Sequence, residues 1–156
     1  METLSGCDVD FSDKNHRKAF VELMNGYAMH PMGLGHSLDI ELMDKTIAHL
    51  KVNSSYRGIM IKKDNEFVGL ANCFINFSTF KAKPLLNIHD FIIHNNQHGK
   101  GYGQFLMKEV EKMAQANNCC RINLEVRNDN PAAMKLYQNM GYNECDPPMY
   151  FWEKYL

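Results

Sequence analysis

Apolar residues at Ala19, Phe20, Leu23, Met24 and Tyr27 recur at helical spacing and mark a first helix. Ser12 or Asp13 can cap its start, and Pro31, Gly33 and Gly35 end it in a loop. Residues 6–11 before it read as a short strand. A second stripe, Ile40, Met43, Ile47 and Leu50, follows a cap at Ser37 or Asp39. Tyr56–Lys62 and Phe67–Phe77 then form a hairpin around Asp64-Asn65, and residues 85–93 read as another apolar strand. A helix from about residue 103 to 117 buries Leu106, Val110 and Met113. Residues 119–126 alternate, with Ile122, Leu124 and Val126 on one face. Asn130 and Pro131 open a short helix that Gly141 closes, and Met149–Tyr155 reads as a last strand. The order β-α-α-β-β-β-α-β-α-β describes an α/β (α+β) fold, a mixed sheet covered by helices.

Composition narrows this picture. With 156 residues the chain is expected to be a single domain, 1–156, and at 45% apolar it needs no disulfide or metal staple. A net charge of −1 lacks the electrostatic footprint of a nucleic-acid partner. The five cysteines, Cys7, Cys73, Cys119, Cys120 and Cys145, show no Cys-x-x-Cys spacing and read as reduced thiols. Met1–Gly6 has neither the basic start nor the apolar core of a signal peptide, and Phe67–Phe77 is too short to span a bilayer. A cytoplasmic location without a membrane partner is the expectation.

Chemistry concentrates in Gln97-His98-Gly99-Lys100-Gly101-Tyr102-Gly103, which follows a strand and opens a helix. Alternate glycines let the backbone turn sharply and gather N–H groups at the positive end of the helix dipole, a site for phosphate or pyrophosphate. A nucleotide P-loop requires Ser or Thr after the lysine, and Gly101 stands there. A dinucleotide fold is the stronger rival, with Glu125 where a ribose-binding acid would sit, although the glycines run Gly-x-Gly-x-Gly. His89, His94 and His98 do not make a metal site: His89 and His94 face opposite ways in a regular strand, and no acid or thiolate completes the set.

Residues 84–141 resemble the acetyl-CoA-binding half of the Gcn5-related N-acetyltransferase (GNAT) family. One signature, Gln/Arg-x-x-Gly-x-Gly/Ala, is matched by His98-Gly99-Lys100-Gly101-Tyr102-Gly103, with His in the first position. A second is matched by Asn130, Ala133, Leu136-Tyr137 and Gly141-Tyr142. The resemblance implies a mostly antiparallel central sheet of about six to seven strands flanked by about four helices. It implies acetyl-CoA as cosubstrate, no metal, and direct attack by an amine in a ternary complex. A homodimer is common in that family, and no residue of this sequence demonstrates one.

The same resemblance distributes roles. Backbone N–H groups around Ile92 and Ile93 would stabilise the developing oxyanion, and Gln97, His98, Gly99, Lys100, Gly101, Tyr102, Gly103 and Asn130 would hold the cofactor. Tyr137 would protonate the leaving thiolate. His89 is the candidate base, with Asp90, Glu125 and a water chain as alternatives. Asn87, His89 and Phe91 share one face of a regular strand, and a bulge would change that. Phe77-Ser78-Thr79-Phe80, Lys83, Leu85 and Asp90-Phe91 are further similar to diamine and polyamine acetyltransferases, which carry Glu where this chain has His89. The expected acceptor is a small-molecule primary amine, with polyamine- or lysine-like amines as an extension, approaching the loop 30–36. Protein or peptide N-acetylation and a non-catalytic acetyl-CoA sensor are the alternatives.

Overall fold

The computed structural model describes residues 3–156. They group into two compact units, one ending at Glu125 and one comprising Val126–Leu156. The first unit holds β1 (Leu4–Asp8), α1 (Lys14–Met29), α2 (Ile40–Val52), β2 (Tyr56–Lys63), β3 (Glu66–Ser78), β4 (Lys83–Ile93), α3 (Tyr102–Ala116) and β5 (Ile122–Leu124). The second holds α4 (Pro131–Asn139).

The five strands lie in the order β1-β2-β3-β4-β5. The first three pairings are antiparallel, and β4 pairs with β5 in parallel. Short hairpins join β2 to β3 and β3 to β4, α1 and α2 lie between β1 and β2, and the parallel pair needs a crossover, which α3 provides. Aspartates start both early helices. Asp13 accepts from the N–H groups of Asn15 and His16, and Asp39 from those of Glu41 and Leu42.

The apolar stripes of α1 and α2 close one face of the sheet. Phe20 and Leu23 from α1 meet Met43 and Ile47 from α2 over Met60, Leu70 and Ile92. Burying each such side chain contributes about 1.5–3 kcal/mol relative to leaving it in water. On α3, Leu106, Met107 and Val110 are buried, and this helix packs on β2, β3 and β4. In the second unit, Asn130 Oδ1 accepts from Ala133 N at 3.2 Å and Pro131 occupies the first helical turn. Gly141 lies at φ 87°, where Tyr142 N donates to Tyr137 O and the helix ends.

Three expectations shift. The first strand is Leu4–Asp8 rather than 6–11, since its ladder with β2 runs from Leu4 to Asp8. The strand expected over 119–126 shortens to Ile122–Leu124, because only these residues find register with β4. The sheet has five strands rather than six to seven, and 149–155 forms none among the described residues. A strand exists only through a ladder partner, and Tyr150 and Trp152, 88% and 86% exposed, face solvent instead.

Leu70→Ala is expected to cost about 2–5 kcal/mol in urea unfolding, because it opens a cavity under both helices. Asp13→Ala removes a single cap and is expected to cost about 1 kcal/mol in the same measurement.

Candidate active site

The site begins with one surplus residue. Asn72 pairs with Asp90 and Cys73 with Ile88, so His89 is an extra residue in β4 that β3 cannot match. The parallel ladder to β5 stops at the same place, its last pair being Ile88 with Leu124. From His89 to Ile93, β4 therefore has β3 on one side and, among the described residues, no ladder partner on the other, an edge open to strand pairing.

Orientation along that edge follows from one bond. His94 N donates to Val68 O at 2.9 Å, so the backbone groups of His94 face β3. Neighbours in a strand alternate, which turns the N–H and C=O of Ile93 toward the open edge and those of Ile92 back to β3. The Ile93 carbonyl accepts from His98 Nε2 at 2.8 Å, in keeping with that direction. The Ile92 side chain is buried in the core.

The edge runs into the glycine loop. Asn95–Gln97 forms a turn of 3-10 helix, and Lys100 Nζ donates to Gln97 Oε1 at 2.8 Å. Gly99 and Gly101 have φ of 76° and 81°, a region that favours glycine. Gly101 is the N-cap of α3, and no side chain among the described residues caps that end. The first N–H groups of α3 consequently have neither an intrahelical partner nor a capping side chain. A Cβ on Gly99 or Gly101 would enter open space, so the bare backbone is accessible to a ligand. Tyr102 is 7% exposed and anchors the helix in the core, leaving its backbone N–H at the loop.

The face of β4 toward α1 is polar at the bulge. Asp90 Oδ2 accepts from Asn72 Nδ2 at 2.9 Å, and the His89 ring lies edge-on to Phe74 with centroids 5.8 Å apart. Asn72 and Phe74 are two apart on β3 and share a face, so His89 and Asp90 do too. Strict alternation would have separated them; the bulge brings them together. Tyr56 OH donates to Asn72 Oδ1 at 2.8 Å. Burial, followed by the neighbouring Cys73 and Asp90, pushes the Tyr56 phenol above its usual range, so it remains a donor.

Comparison with known proteins is consistent across sequence and fold. The model of the acetyltransferase (GNAT) family matches residues 22–142. The chain belongs to the GNAT family. Its sequence is 32% identical over 57 residues to an acetyltransferase of Yersinia pestis (strain Pestoides F), a match covering 36% of this chain and 40% of that relative. It is 28% identical over 87 residues to the uncharacterized N-acetyltransferase YhfO of Bacillus subtilis (strain 168), covering 55% of this chain and 58% of the relative. The matched stretches thus span between 40% and 58% of the length of these relatives. A GNAT family acetyltransferase structure from Staphylococcus aureus (strain USA300_TCH1516) superposes with TM-score 0.76 at 20% identity, over 100% of both chains, a likeness of fold. The dinucleotide fold requires a parallel sheet, and three of the four pairings in this GNAT sheet are antiparallel.

Within the first unit, then, His89, Ile93 and Gln97–Gly103 lie along one continuous edge and loop. Glu125 is exposed just beyond β5. In the second unit, Tyr137 lies on α4 with its ring 6.1 Å from that of Tyr142, and Asn130 caps the same helix. The loop 30–36 is braced on α1: Leu34 and Gly35 both donate to Ala28 O, at 2.9 and 2.8 Å. Sequence reasoning missed Tyr56 and Asn72. The one available signal was a polar Asn72 inside an otherwise apolar strand, which nothing in the sequence links to Tyr56.

Burial, then Asp90, pushes the Cys73 thiol up to about 12. At pH 8 its thiolate fraction is on the order of one in ten thousand. A thiol reagent is expected to modify exposed Cys145 promptly and Cys73 only after denaturation, as read by mass spectrometry of the digested protein.

Proposed function

We propose that this chain transfers the acetyl group of acetyl-CoA to a primary amine of a small molecule. The observation that carries this is the open β4 edge running without interruption into a glycine loop and an uncapped helix N-terminus. Such a strip fits an elongated ligand with an amide-bearing arm and a pyrophosphate. The arm can add to the strand edge by backbone hydrogen bonds, and the pyrophosphate can sit on loop N–H groups and the helix dipole. The loop fits it because Gly99 and Gly101 leave their backbone uncovered. The family match runs from residue 22 to 142, across both units, which supports reading the whole chain as one catalytic domain.

Acetyl-CoA supplies an acetyl thioester; the remaining work falls to the protein. In this reading the backbone of Gln97, His98, Gly99, Lys100, Gly101, Tyr102 and Gly103 grips the pyrophosphate, with Asn130 as a further contact. The Ile93 N–H, aimed at the open edge, stabilises negative charge developing on the acetyl oxygen, in the strand segment it shares with Ile92. An alkylammonium, with a reference pKa of about 10.4, has no lone pair to attack with. His89 removes that proton as the general base. The Tyr137 phenol gives a proton to the departing sulfur.

Calorimetric titration with acetyl-CoA, with NAD as control, tests the core of this reading. Saturable binding of acetyl-CoA alone is expected. Gly101→Val is expected to abolish it, because the new side chain would occupy the ligand's approach and strain a backbone at φ 81°. Absence of binding to the unaltered protein would overturn the proposal. Once an amine panel has identified a substrate by thiol release, Tyr137→Phe is expected to lower kcat about 100-fold.

A further inference from the structure

Beside the first half of α1, the sheet face is hollowed into a cleft of about 480 Å³ that the reaction read above does not use. That volume is in the range of small-molecule sites. Its floor is apolar, made by Ala19 and Leu23 of α1 and by Phe67 near the start of β3. The cleft lies beyond the bulge and not at it. Along β3 the order is Asn72, Leu70, Phe67, and along β4 it is Asp90, Ile92, His94. Leu70 and Ile92, both in the core, stand between the cleft and the pair His89 and Asp90.

Four charged side chains rim this floor, two of each sign. Lys18 and Glu22 sit one turn apart on α1, and Lys62 and Glu66 flank the β2–β3 turn. Lys62 faces Phe67 across the ladder, so the two side chains share a face. Its Nζ stands 4.4 Å from the Phe67 ring centroid, a cation-π contact that holds the ammonium at the cleft. The ring is braced in turn by His16, edge-on at 5.1 Å, whose Nδ1 accepts from Asp10 N at 3.0 Å. His94 supplies a further donor. Its Nδ1 accepts from Asn96 N at 3.4 Å, which leaves the ring hydrogen on Nε2. Glu66 pairs with no cation among the described residues, and the Lys18–Glu22 pair is an exposed contact at 3.8 Å that a ligand can replace at little cost.

A ligand of one sign meets attraction from half of this rim and repulsion from the other half. A molecule that carries both charges matches it, and the apolar floor between them calls for a hydrocarbon body. We propose that the cleft is a second ligand site, apart from the acetyl-transfer edge, for a zwitterionic amino acid with an apolar side chain. Its carboxylate lies on the Lys62 ammonium and the His94 N–H, and its ammonium lies on Glu66. Its side chain covers Leu23 and Phe67. Because Lys62 is already held over the Phe67 ring, little ordering of that side chain is left for the ligand to impose.

The test titrates leucine, methionine and phenylalanine into the full chain and follows backbone amide shifts by NMR. At least one is expected to saturate, with shifts centred on Lys62, Glu66 and His94. For leucine, two half-analogues separate the charges: 4-methylpentanoate lacks the ammonium and 3-methylbutylamine lacks the carboxylate. Each is expected to bind about tenfold more weakly than leucine, the loss of one charge-assisted contact. Lys62→Met, and Glu66→Gln at the exposed turn, are each expected to weaken the amino acid by a similar factor. The inference is overturned if no amino acid of the panel saturates up to about 10 mM. It is equally overturned if a half-analogue binds as well as leucine, if the shifts centre on His89 and Asp90 instead, or if both variants keep full affinity. No cosubstrate is present in these titrations, so their outcome is independent of the acetyl-transfer reading.

Discussion

Two antiparallel strands stay in register only while each residue on one has a counterpart on the other, and β4 carries one residue too many. Everything distinctive about the first unit follows from where that surplus is placed. At His89 the ladder with β3 slips by one, and the ladder with β5 ends one residue earlier. Backbone groups that a regular sheet would have consumed become available along a short edge. The same slip turns two consecutive polar side chains, His89 and Asp90, to one face, which alternation forbids.

The surplus can be held only because the surrounding structure is closed tightly. Leu70 and Ile92 lie just past the slip in the core under α1 and α2, where they pin the restored register. Leu86 and Ile88, both buried, pin it on the other side. The polar chain through Asn72 fills the gap between these anchors and leaves no buried side-chain nitrogen or oxygen unsatisfied among the described residues. Packing and polar bonding are thus divided along β4: apolar residues fix the two flanks, and hydrogen bonds fix the irregular middle.

Features governed by local rules could be read in the sequence. Asp13, Asp39 and Asn130 are caps whose partners lie two or three residues away, and positive φ at Gly99 and Gly101 follows from a turn between strand and helix. The bulge was not legible, because a period-two pattern is blind to a single inserted residue; Asn87, His89 and Phe91 fit regular alternation equally well. Nor were Tyr56 and Asn72, whose contact joins residues 16 apart through the space above a glycine. The length of β5 is hidden from the sequence for a related reason. Residues 119–126 have the alternation of a strand, but the number of them that pair is set by β4, not by their own composition.

The turn after α1 is held by its backbone. Gly33, Leu34 and Gly35 donate to main-chain carbonyls of His30 and Ala28, and a Cβ at Gly33 would strike the Tyr27 carbonyl. Leu34 meanwhile projects into solvent at 61% exposure. A frame built from main chain with side chains as exchangeable tips lets the rim of this face change its chemistry while its contour stays fixed. Diversification here would proceed by substitution at the tips, leaving the lengths and hinges of the turn untouched.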